Sequence, residues 1–314
     1  MHIVLPGSLP DPRDARELAS YLPDTAPALT RWLARGRARV TAVDPAQALC
    51  TAYEFWQLQA RGFRARPGQH VSAGLGPMYA RSASETAAEP DEPVWLAELV
   101  HVAPSRDGAA LIPASQLDIT PEQSEALLHS ARELLAGAPF ALHPCQPARW
   151  RVTLPRDYAP ACASPALVSR GMVNDWWSQD ISGRPWRRLV NELQMLWFDH
   201  PVNQRRARQG LIAVNSLWLF GGARLDQLRA GPIPDDARIF DALQEPVLRQ
   251  DWSHWLHTLK QLDADYFSTM DKAPHIVMTG GERIVEIAPH GPSRWFDLLP
   301  GRRTNWRKWW SHPY

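Results

Sequence analysis

The sequence predicts an α/β protein with a mostly parallel sheet flanked by helices and a small inserted α+β subdomain. Three observations lead to this prediction. Apolar residues recur at helical spacing over 186–197, an almost unbroken apolar run at 212–220 ends in two glycines, and residues 94–155 combine hairpin and helix signals. Such a continuous apolar run is typical of a strand buried on both faces in a parallel sheet.

Length and composition restrict the protein class. The 314 residues suffice for one large domain or two smaller ones. A net charge of +1 gives no field that favours nucleic acid or an anionic membrane. Cys50, Cys145 and Cys162 are widely spaced, which fits a reducing compartment, and neither a signal peptide nor a membrane span is visible. We therefore expect a soluble, cytoplasmic protein.

Residues 1–93 predict the first part of the α/β domain. A capping residue, Asp24 or Thr25, begins the first helix, and the second runs from Asp44 to the glycine at position 62. The order is strand, helix, strand, helix, at residues 3–5, 25–36, 40–43 and 45–62. Glycines and a proline within residues 70–79 predict an edge strand or an irregular loop. The acidic, proline-containing residues 85–93 predict a linker.

Residues 94–155 predict an inserted ββαββ subdomain. A turn with Asp107 and Gly108 indicates a hairpin. Thr120 and Gln123 form a capping-box signal, which begins an amphipathic helix that runs to a glycine at position 137. The predicted strands lie at 94–102, 109–112, 140–142 and 150–154.

Residues 156–314 predict the second part of the α/β domain. The amphipathic helix that begins at Trp186 ends before Pro201, because a proline disfavours helical backbone in the preceding residue. A short helix then runs to Gly210 and leads into the apolar strand. The remaining predicted elements are helices at 239–248 and 252–270, a hairpin at 276–287, and a basic-aromatic tail at 302–310.

Several runs within residues 191–222 carry a family resemblance. They are NELQML at 191–196, HPVN at 200–203, Arg206 and Gly210, VNSLW at 214–218, and the glycine pair at 221–222. These runs resemble the RpfE-type regulatory proteins of proteobacteria, a family similar to the archaeal-type, cofactor-independent phosphoglycerate mutases. The resemblance extends more weakly over most of the chain. It implies an alkaline-phosphatase-like α/β fold with an inserted subdomain.

Catalysis in that superfamily implies two divalent metals held by Asp and His, and a Ser or Thr nucleophile. The chain departs from this pattern. Pro6-Gly7-Ser8 stands where the first strand should end in Asp-Gly, and the run VMTGGE at 277–282 lacks the expected Asp-His. We therefore predict a pseudoenzyme without metal or cofactor, which regulates by binding a small anionic metabolite or a protein partner.

The alternative is a metal-dependent phosphoglycerate mutase or phosphatase with rearranged ligands. It would use Mn, Zn or Mg, held by residues that the family pattern does not align. Candidates for these ligands are Asp11, Asp44, His70 and His101. Catalytic residues cannot be assigned from the sequence.

The predicted ligand-binding residues lie in the region that carries the resemblance. They are Asn191, His200, Asn203, Arg206 and Asn215, and Arg206 is the cation that the family pattern favours for an anion. A structural alternative remains open, in which His200 and Asn203 cap helix ends and Asn215 satisfies backbone groups. In the tail, we expect the tryptophans to pack on the domain with the cations outward, in preference to nucleic-acid binding.

Overall fold

The computed structural model describes residues 1–82, 92–106, 108–177, 181–229, 237–289 and 306–311. In chain order its strands are β1 (His2–Pro6), β2 (Arg37–Ala42), β3 (Pro93–Ser105), β4 (Gly108–Ile112), β5 (Ala141–Gln146), β6 (Arg149–Thr153), β7 (Ser216–Arg224), β8 (Ala237–Ile239), β9 (His275–Thr279) and β10 (Arg283–Ala288). Its α-helices are α1 (Pro12–Thr25), α2 (Pro27–Arg35), α3 (Pro45–Ala48), α4 (Ala52–Ala60), α5 (Leu75–Ser82), α6 (Pro121–Leu134), α7 (Pro165–Val168), α8 (Val173–Trp176), α9 (Arg184–Phe198), α10 (Pro201–Arg208), α11 (Gln244–Leu248), α12 (Trp252–Leu262) and α13 (Trp306–Ser311). Within the described ranges, none of the helices has the length and apolar character needed to cross a bilayer.

The chain separates into two compact units. Unit 1 comprises residues 1–44 and 231–314, and unit 2 comprises residues 45–230. Each unit has its own sheet with helices against it, so the protein is a mixed α/β protein. These boundaries differ from the predicted ones at 93/94 and 155/156, which remain predictions about domain organisation.

The sheet of unit 1 has the strand order β2-β10-β9-β1-β8. β1 is parallel to β8 and β9, whereas β10 is antiparallel to both β9 and β2. The prediction of a mostly parallel sheet is therefore wrong. β10 follows β9 through the tight turn at Gly280 and Gly281, and so short a connection joins only antiparallel strands.

The core of unit 1 lies between this sheet and its helices. Ile3 and Leu5 of β1 pack with Leu22 of α1, Trp255 of α12 and Trp310 of α13, all fully buried. Trp306 is buried as well, while Arg307 and Lys308 are exposed. The expectation that the tail tryptophans pack inward with their cations outward is confirmed for residues 306–310. Residues 302–305 of the tail lie outside the described ranges.

The sheet of unit 2 is antiparallel throughout its described strands. Its order is β4-β3-β6-β5, and β7 also pairs with β3. The prediction that residues 212–220 form a parallel strand is wrong. β7 is apolar because other elements cover both of its faces. These elements are α5, the 3-10 turn Val71–Gly74 and α9.

Several predicted elements of unit 2 are confirmed. The β3–β4 hairpin, α6 with its Thr120–Gln123 capping box, the β5–β6 pair, α9 and α10 all lie at the expected positions. The predicted turn residue Asp107 and residues 85–91 of the predicted linker lie outside the described part of the chain.

Other predicted elements are wrong. Asp24 and Thr25 end α1 and do not cap α2. The predicted helix at 45–62 is two helices, because Leu49 takes a left-handed conformation (φ 54°) between α3 and α4. Residues 70–79 form the 3-10 turn and most of α5. Strand β8 ends at Ile239, where the helix at 239–248 was predicted to begin, and α11 covers only Gln244–Leu248.

Candidate functional site

Four of the predicted ligand-binding residues cluster around α10 and the start of β7. His200 is the N-cap of α10, where its Nδ1 accepts a hydrogen bond from the Val202 amide at 3.2 Å. Partial burial lowers the pKa of His200, and the nearby Arg205 lowers it further. The imidazole is therefore neutral at neutral pH, and its predicted role as a helix cap is confirmed.

Asn203 fastens the end of α9 to the segment before β7. Its Nδ2 donates to the carbonyls of Trp197 and Val214, each at 2.8 Å, and its Oδ1 accepts from the Val214 amide at 2.9 Å. The side chain is buried. Its amide therefore satisfies backbone groups that would otherwise be buried without partners.

Arg206 is the cation among these residues, and it is fully buried, with 0% of its surface exposed. Its Nε donates to the Ile212 carbonyl at 2.7 Å, and its two terminal nitrogens donate to Gln123 Oε1, at 2.6 Å, and to the Leu117 carbonyl. Burial lowers the pKa of Arg206, and Asp118 opposes this shift. Arg206 thus joins α10, the start of α6 and the segment before β7.

Asn215 and Asn191 occupy different settings. Asn215 forms a two-way pair with the backbone of Val102, accepting from its amide at 2.8 Å and donating to its carbonyl at 2.9 Å. Asn191 is exposed on α9. The hydrogen bonds described for His200, Asn203, Arg206 and Asn215 are all internal to the chain, and a ligand-binding role for the five residues remains a prediction.

The carboxyl edge of the unit 1 sheet, formed by residues 6–9 and 279–280, is where the resemblance places catalysis. Ser8 and Thr279 are 0% and 1% exposed. Ser8 Oγ donates to the Leu5 carbonyl at 2.6 Å, and Trp255 Nε1 donates to the Gly7 carbonyl at 3.0 Å. The backbone beyond β1 is therefore occupied by internal hydrogen bonds and covered by an indole ring.

Arg283 holds α13 beside this edge. Its guanidinium donates to the carbonyls of Pro10 (3.1 Å), Trp309 (3.2 Å) and Trp310 (2.6 Å). Trp310 Nε1 in turn donates to the Ala15 carbonyl of α1 at 3.1 Å. The buried Arg283, Trp255 and Trp310 thus cover the carboxyl edge. In the sequence, only the tryptophan-rich tail indicated this arrangement.

The residues considered as alternative metal ligands have other contacts or lie in separate units of the chain. His70 Nδ1 lies 2.9 Å from the Gln47 carbonyl oxygen, and His101 Nδ1 lies 2.8 Å from the Ala213 carbonyl oxygen. Both histidines belong to unit 2, whereas Asp11 and Asp44 belong to unit 1. Across the described ranges, no three or more His, Cys, Asp or Glu side chains are grouped so that they could hold a metal ion.

A cleft lined with aromatic rings lies elsewhere in unit 2, and sequence reasoning missed it. It encloses about 430 Å³ of empty space, including the part open to solvent. We call it the aromatic cleft; its lining residues are Tyr158, Pro160, Ala161, Cys162, Trp176, Trp177, Gly183, Trp186, Arg187, Trp218 and Leu219.

The buried tryptophans of the aromatic cleft are fixed by the core. Trp218 of β7 donates from Nε1 to the Ala163 carbonyl at 2.8 Å, and its ring packs edge-on against Trp177 with centroids 5.1 Å apart. Trp186 packs edge-on against Phe140 at 5.6 Å. In contrast, Tyr158, Trp176 and Trp177 are only partly buried.

The titratable side chains that line the aromatic cleft are Tyr158, Cys162 and Arg187. Burial raises the pKa of Tyr158 to about 12, with a contribution from Cys162 and opposition from Arg187. Burial likewise raises the pKa of Cys162 to about 12. The phenol and the thiol are therefore neutral at physiological pH, and among the described lining residues Arg187 carries the one charge.

Comparison with known proteins gives distant structural matches alone. No family model matches the chain, and no curated protein matches it. One similar solved structure is the cofactor-independent phosphoglycerate mutase from Thermoplasma acidophilum, at 12% identity and a TM-score of 0.33, covering 92% of this chain and 90% of that one. Another is the PH0037 protein from Pyrococcus horikoshii, at 12% identity and a TM-score of 0.41, covering 92% and 87%.

Proposed function

We propose that this chain is an RpfE-type regulatory protein on a phosphoglycerate-mutase-like scaffold, which binds a small anionic metabolite or a protein partner and does not catalyse phosphoryl transfer. The alkaline-phosphatase-like form of the α/β fold, with residues 94–155 as an insertion, and the cytoplasmic location belong to the same proposal. The family assignment rests on the residue runs within 191–222.

The closed carboxyl edge of the unit 1 sheet is the observation that carries the proposal. In α/β sheets, ligands bind beyond the carboxyl ends of parallel strands. Here Pro6 and Thr279 end two parallel strands in register, and Trp255 and Trp310 are fully buried beside them. A phosphate ester could reach Ser8 or Thr279 only after these rings were displaced.

The side chains at this edge also do not suit a pair of dications. Two adjacent divalent metals need several carboxylates and imidazoles to coordinate them and to balance their charge. The residues after β1 are Gly7 and Ser8, and those after β9 are Gly280 and Gly281. The buried cation Arg283 contacts the Pro10 carbonyl beside this edge and would repel a metal ion.

Metal content and turnover test the proposal. The purified full-length chain would be analysed by plasma mass spectrometry and assayed as a mutase and a phosphatase with added Mn, Zn or Mg. We expect no metal-dependent turnover. About two metals per chain together with turnover would overturn the proposal and restore the enzyme alternative.

Two conservative variants control for a contaminating phosphatase. Ser8→Ala and Thr279→Val each remove a hydroxyl that could act as nucleophile. Turnover that both variants retain would come from neither hydroxyl. If either variant abolished turnover, the result would show that the carboxyl edge opens to substrate and that the removed hydroxyl takes part in catalysis.

A protein partner remains the second form of the proposal. Helix α9 exposes Met195 and Phe198 by 79% and 81%, and these residues lie three positions apart on one helix face. Exposed apolar side chains grouped in this way are typical of surfaces that contact other proteins.

A further inference from the structure

We infer that two copies of this chain pair through the exposed face of α9, with the two helices antiparallel across a two-fold axis. This inference rests on the second form of the proposed function, the binding of a protein partner, and names that partner as a second copy of the chain. Three properties of α9 support it: the spacing of its exposed residues, their apolar character towards one end, and the distribution of its charges.

The exposed residues of α9 include one narrow stripe along the helix. Its members are Arg184, Arg188, Asn191, Met195 and Phe198, which follow one another at intervals of four, three, four and three positions and are all exposed. We call them the outer stripe of α9. An alternation of three and four is the spacing at which one helix packs along another. The opposite face of α9 is buried in the core of unit 2, so the outer stripe is the face open to another chain.

The carboxyl-terminal half of the outer stripe is apolar. Met195 and Phe198 are 79% and 81% exposed, and Leu196 beside them is 40% exposed. Ile181, in the 3-10 turn that leads into α9, is 88% exposed. Grouped apolar side chains of this kind are typical of protein contact surfaces. Packing against a second copy would remove them from water, which is favourable.

The charges of α9 favour an antiparallel second copy. Asn191 is the centre of the outer stripe, with Arg184 seven positions before it and Phe198 seven positions after it. Asp199 follows as the C-cap of the helix and is exposed. When two such helices run antiparallel across Asn191, Arg184 of each copy meets Asp199 of the other. A parallel pair would instead place Arg184 beside Arg184, and like charges repel. The helix is therefore complementary to itself, as a two-fold interface requires.

The middle of the outer stripe also suits this pairing. Arg188 lies three positions before Asn191, and Met195 lies four positions after it, so the antiparallel arrangement brings Arg188 of one copy to Met195 of the other. The guanidinium of Arg188 pairs with Glu192 of its own helix at 2.8 Å, which balances its charge. Its aliphatic stem can then cover Met195 of the second copy, since arginine stems pack on apolar surface while their charged ends stay in water.

The size of the helix indicates a weak dimer. α9 has 15 residues, which gives it a length of about 22 Å. One pair of helices of this length should bury less than the ~800 Å² per partner of a standard interface. We therefore expect a dissociation constant of roughly 10–100 µM.

Sedimentation equilibrium of the full-length chain, from about 5 to about 500 µM, tests the inference. We expect a mass that rises with concentration from one chain to two. Phe198→Ser should weaken the dimer about tenfold or more, because the two-fold axis removes the ring from two places in the interface at once. The matched control is Tyr21→Ser, since Tyr21 is an aromatic residue of α1 that is 49% exposed in unit 1. It should leave the dimer unchanged.

Charge reversal tests the antiparallel arrangement. Arg184→Asp and Asp199→Arg should each weaken self-association about fivefold to tenfold, because each places two like charges together at both ends of the interface. Both changes agree with the helix dipole, which favours an acidic first turn and a basic end, so the fold should be kept. An equimolar mixture of the two variants should associate as tightly as wild type. In that heterodimer the two introduced residues face each other, and the native Arg184 and Asp199 also meet.

Three results would overturn the inference. A wild-type chain that stays monomeric over this concentration range would leave the outer stripe to a different protein. Equal weakening by Phe198→Ser and Tyr21→Ser would place the interface elsewhere. A mixture of the two charge variants that associates no better than either variant alone would exclude the antiparallel pairing.

These results are separable from those of the proposed function. Metal content and turnover are measured on the same chain and do not depend on its association. Metal-dependent turnover would overturn the proposed function whether the chain is a monomer or a dimer.

Discussion

The guanidinium of Arg206 is suited to bind an anion. In this structure it instead joins neighbouring segments of the chain. Its guanidinium contacts the Ile212 carbonyl, the Leu117 carbonyl and the side chain of Gln123, all of them uncharged acceptors. Asp118, next to one of these acceptors, takes a left-handed conformation (φ 46°). Because the cation is fully buried, removing it would take this donor away from the buried Leu117 carbonyl.

We expect Arg206→Ala to lower the free energy of unfolding by about 3 kcal/mol, because a buried charged hydrogen-bond network is lost. Urea unfolding followed by circular dichroism would measure the change. Arg205→Ala is the matched control: Arg205 is the exposed preceding residue, and its loss should cost less than about 0.5 kcal/mol. If Arg206→Ala unfolded like wild type, the structural role assigned to Arg206 would be wrong.

Two glycines allow helix α5 to pack closely against the sheet of unit 2. A Cβ atom on Gly76 would lie 2.1 Å from the Val94 carbonyl oxygen, and one on Gly221 would lie 2.6 Å from the same atom. Gly221 also has φ +100°, a conformation that residues with side chains rarely adopt. The helix therefore approaches β3 and β7 more closely than any larger residue at these positions would permit.

Gly221→Ala and Gly137→Ala form a matched pair that separates backbone strain from steric clash. Both glycines have positive φ, but a Cβ on Gly137 (φ +87°) would meet nothing within 4 Å. Gly137→Ala should cost about 1 kcal/mol, from the backbone alone. Gly221→Ala should cost about 1–3 kcal/mol more, because the clash with Val94 moves α5 or the strands.

Thermal unfolding of both glycine variants, with the free energies compared at one temperature, would measure this difference. Equal losses would mean that the sheet accommodates the methyl group without cost. The close approach of α5 would then not depend on Gly221.

Local sequence signals predicted some of these elements and could not predict others. Helix α6 has a capping box, α9 has an apolar stripe that ends before Pro201, and α10 has the N-cap His200 followed by a proline, so each was predictable from its own residues. Helix α5 was not, because Gly74, Gly76 and Pro77 indicate a loop unless the neighbouring sheet is known. The apolar run in β7 correctly indicated burial on both faces, but it cannot specify the direction of the paired strand.

At the scale of the molecule, the aromatic cleft was not predictable from any one motif. It draws on residues near 158–162, 176–187 and 218–219, which tertiary packing alone brings together. The polar cluster near α10 was predictable as a cluster because its members are close in sequence. The internal hydrogen bonds of Asn203 and Arg206, however, depend on segments that only the folded chain places beside them.

Unit 2 has the features of an independently folding domain. It is one continuous segment, residues 45–230, whereas unit 1 needs residues 1–44 and 231–314 together. The five strands β3 to β7 form one sheet. A buried core lies against this sheet and contains side chains of the strands, of α6 and of α9. A segment of about 190 residues can bury enough apolar surface to fold alone.

We therefore expect residues 45–230, expressed alone, to fold and to unfold cooperatively in urea, with a near-ultraviolet circular dichroism signal from packed tryptophans. The control is the fragment 45–205, which lacks β7 and so leaves β3 without one of its partners and Trp218 out of the core. This shorter fragment should give no cooperative transition. If 45–230 also lost its near-ultraviolet signal, the contacts within unit 2 would not suffice to fold it, and the division of the chain would not correspond to independent folding.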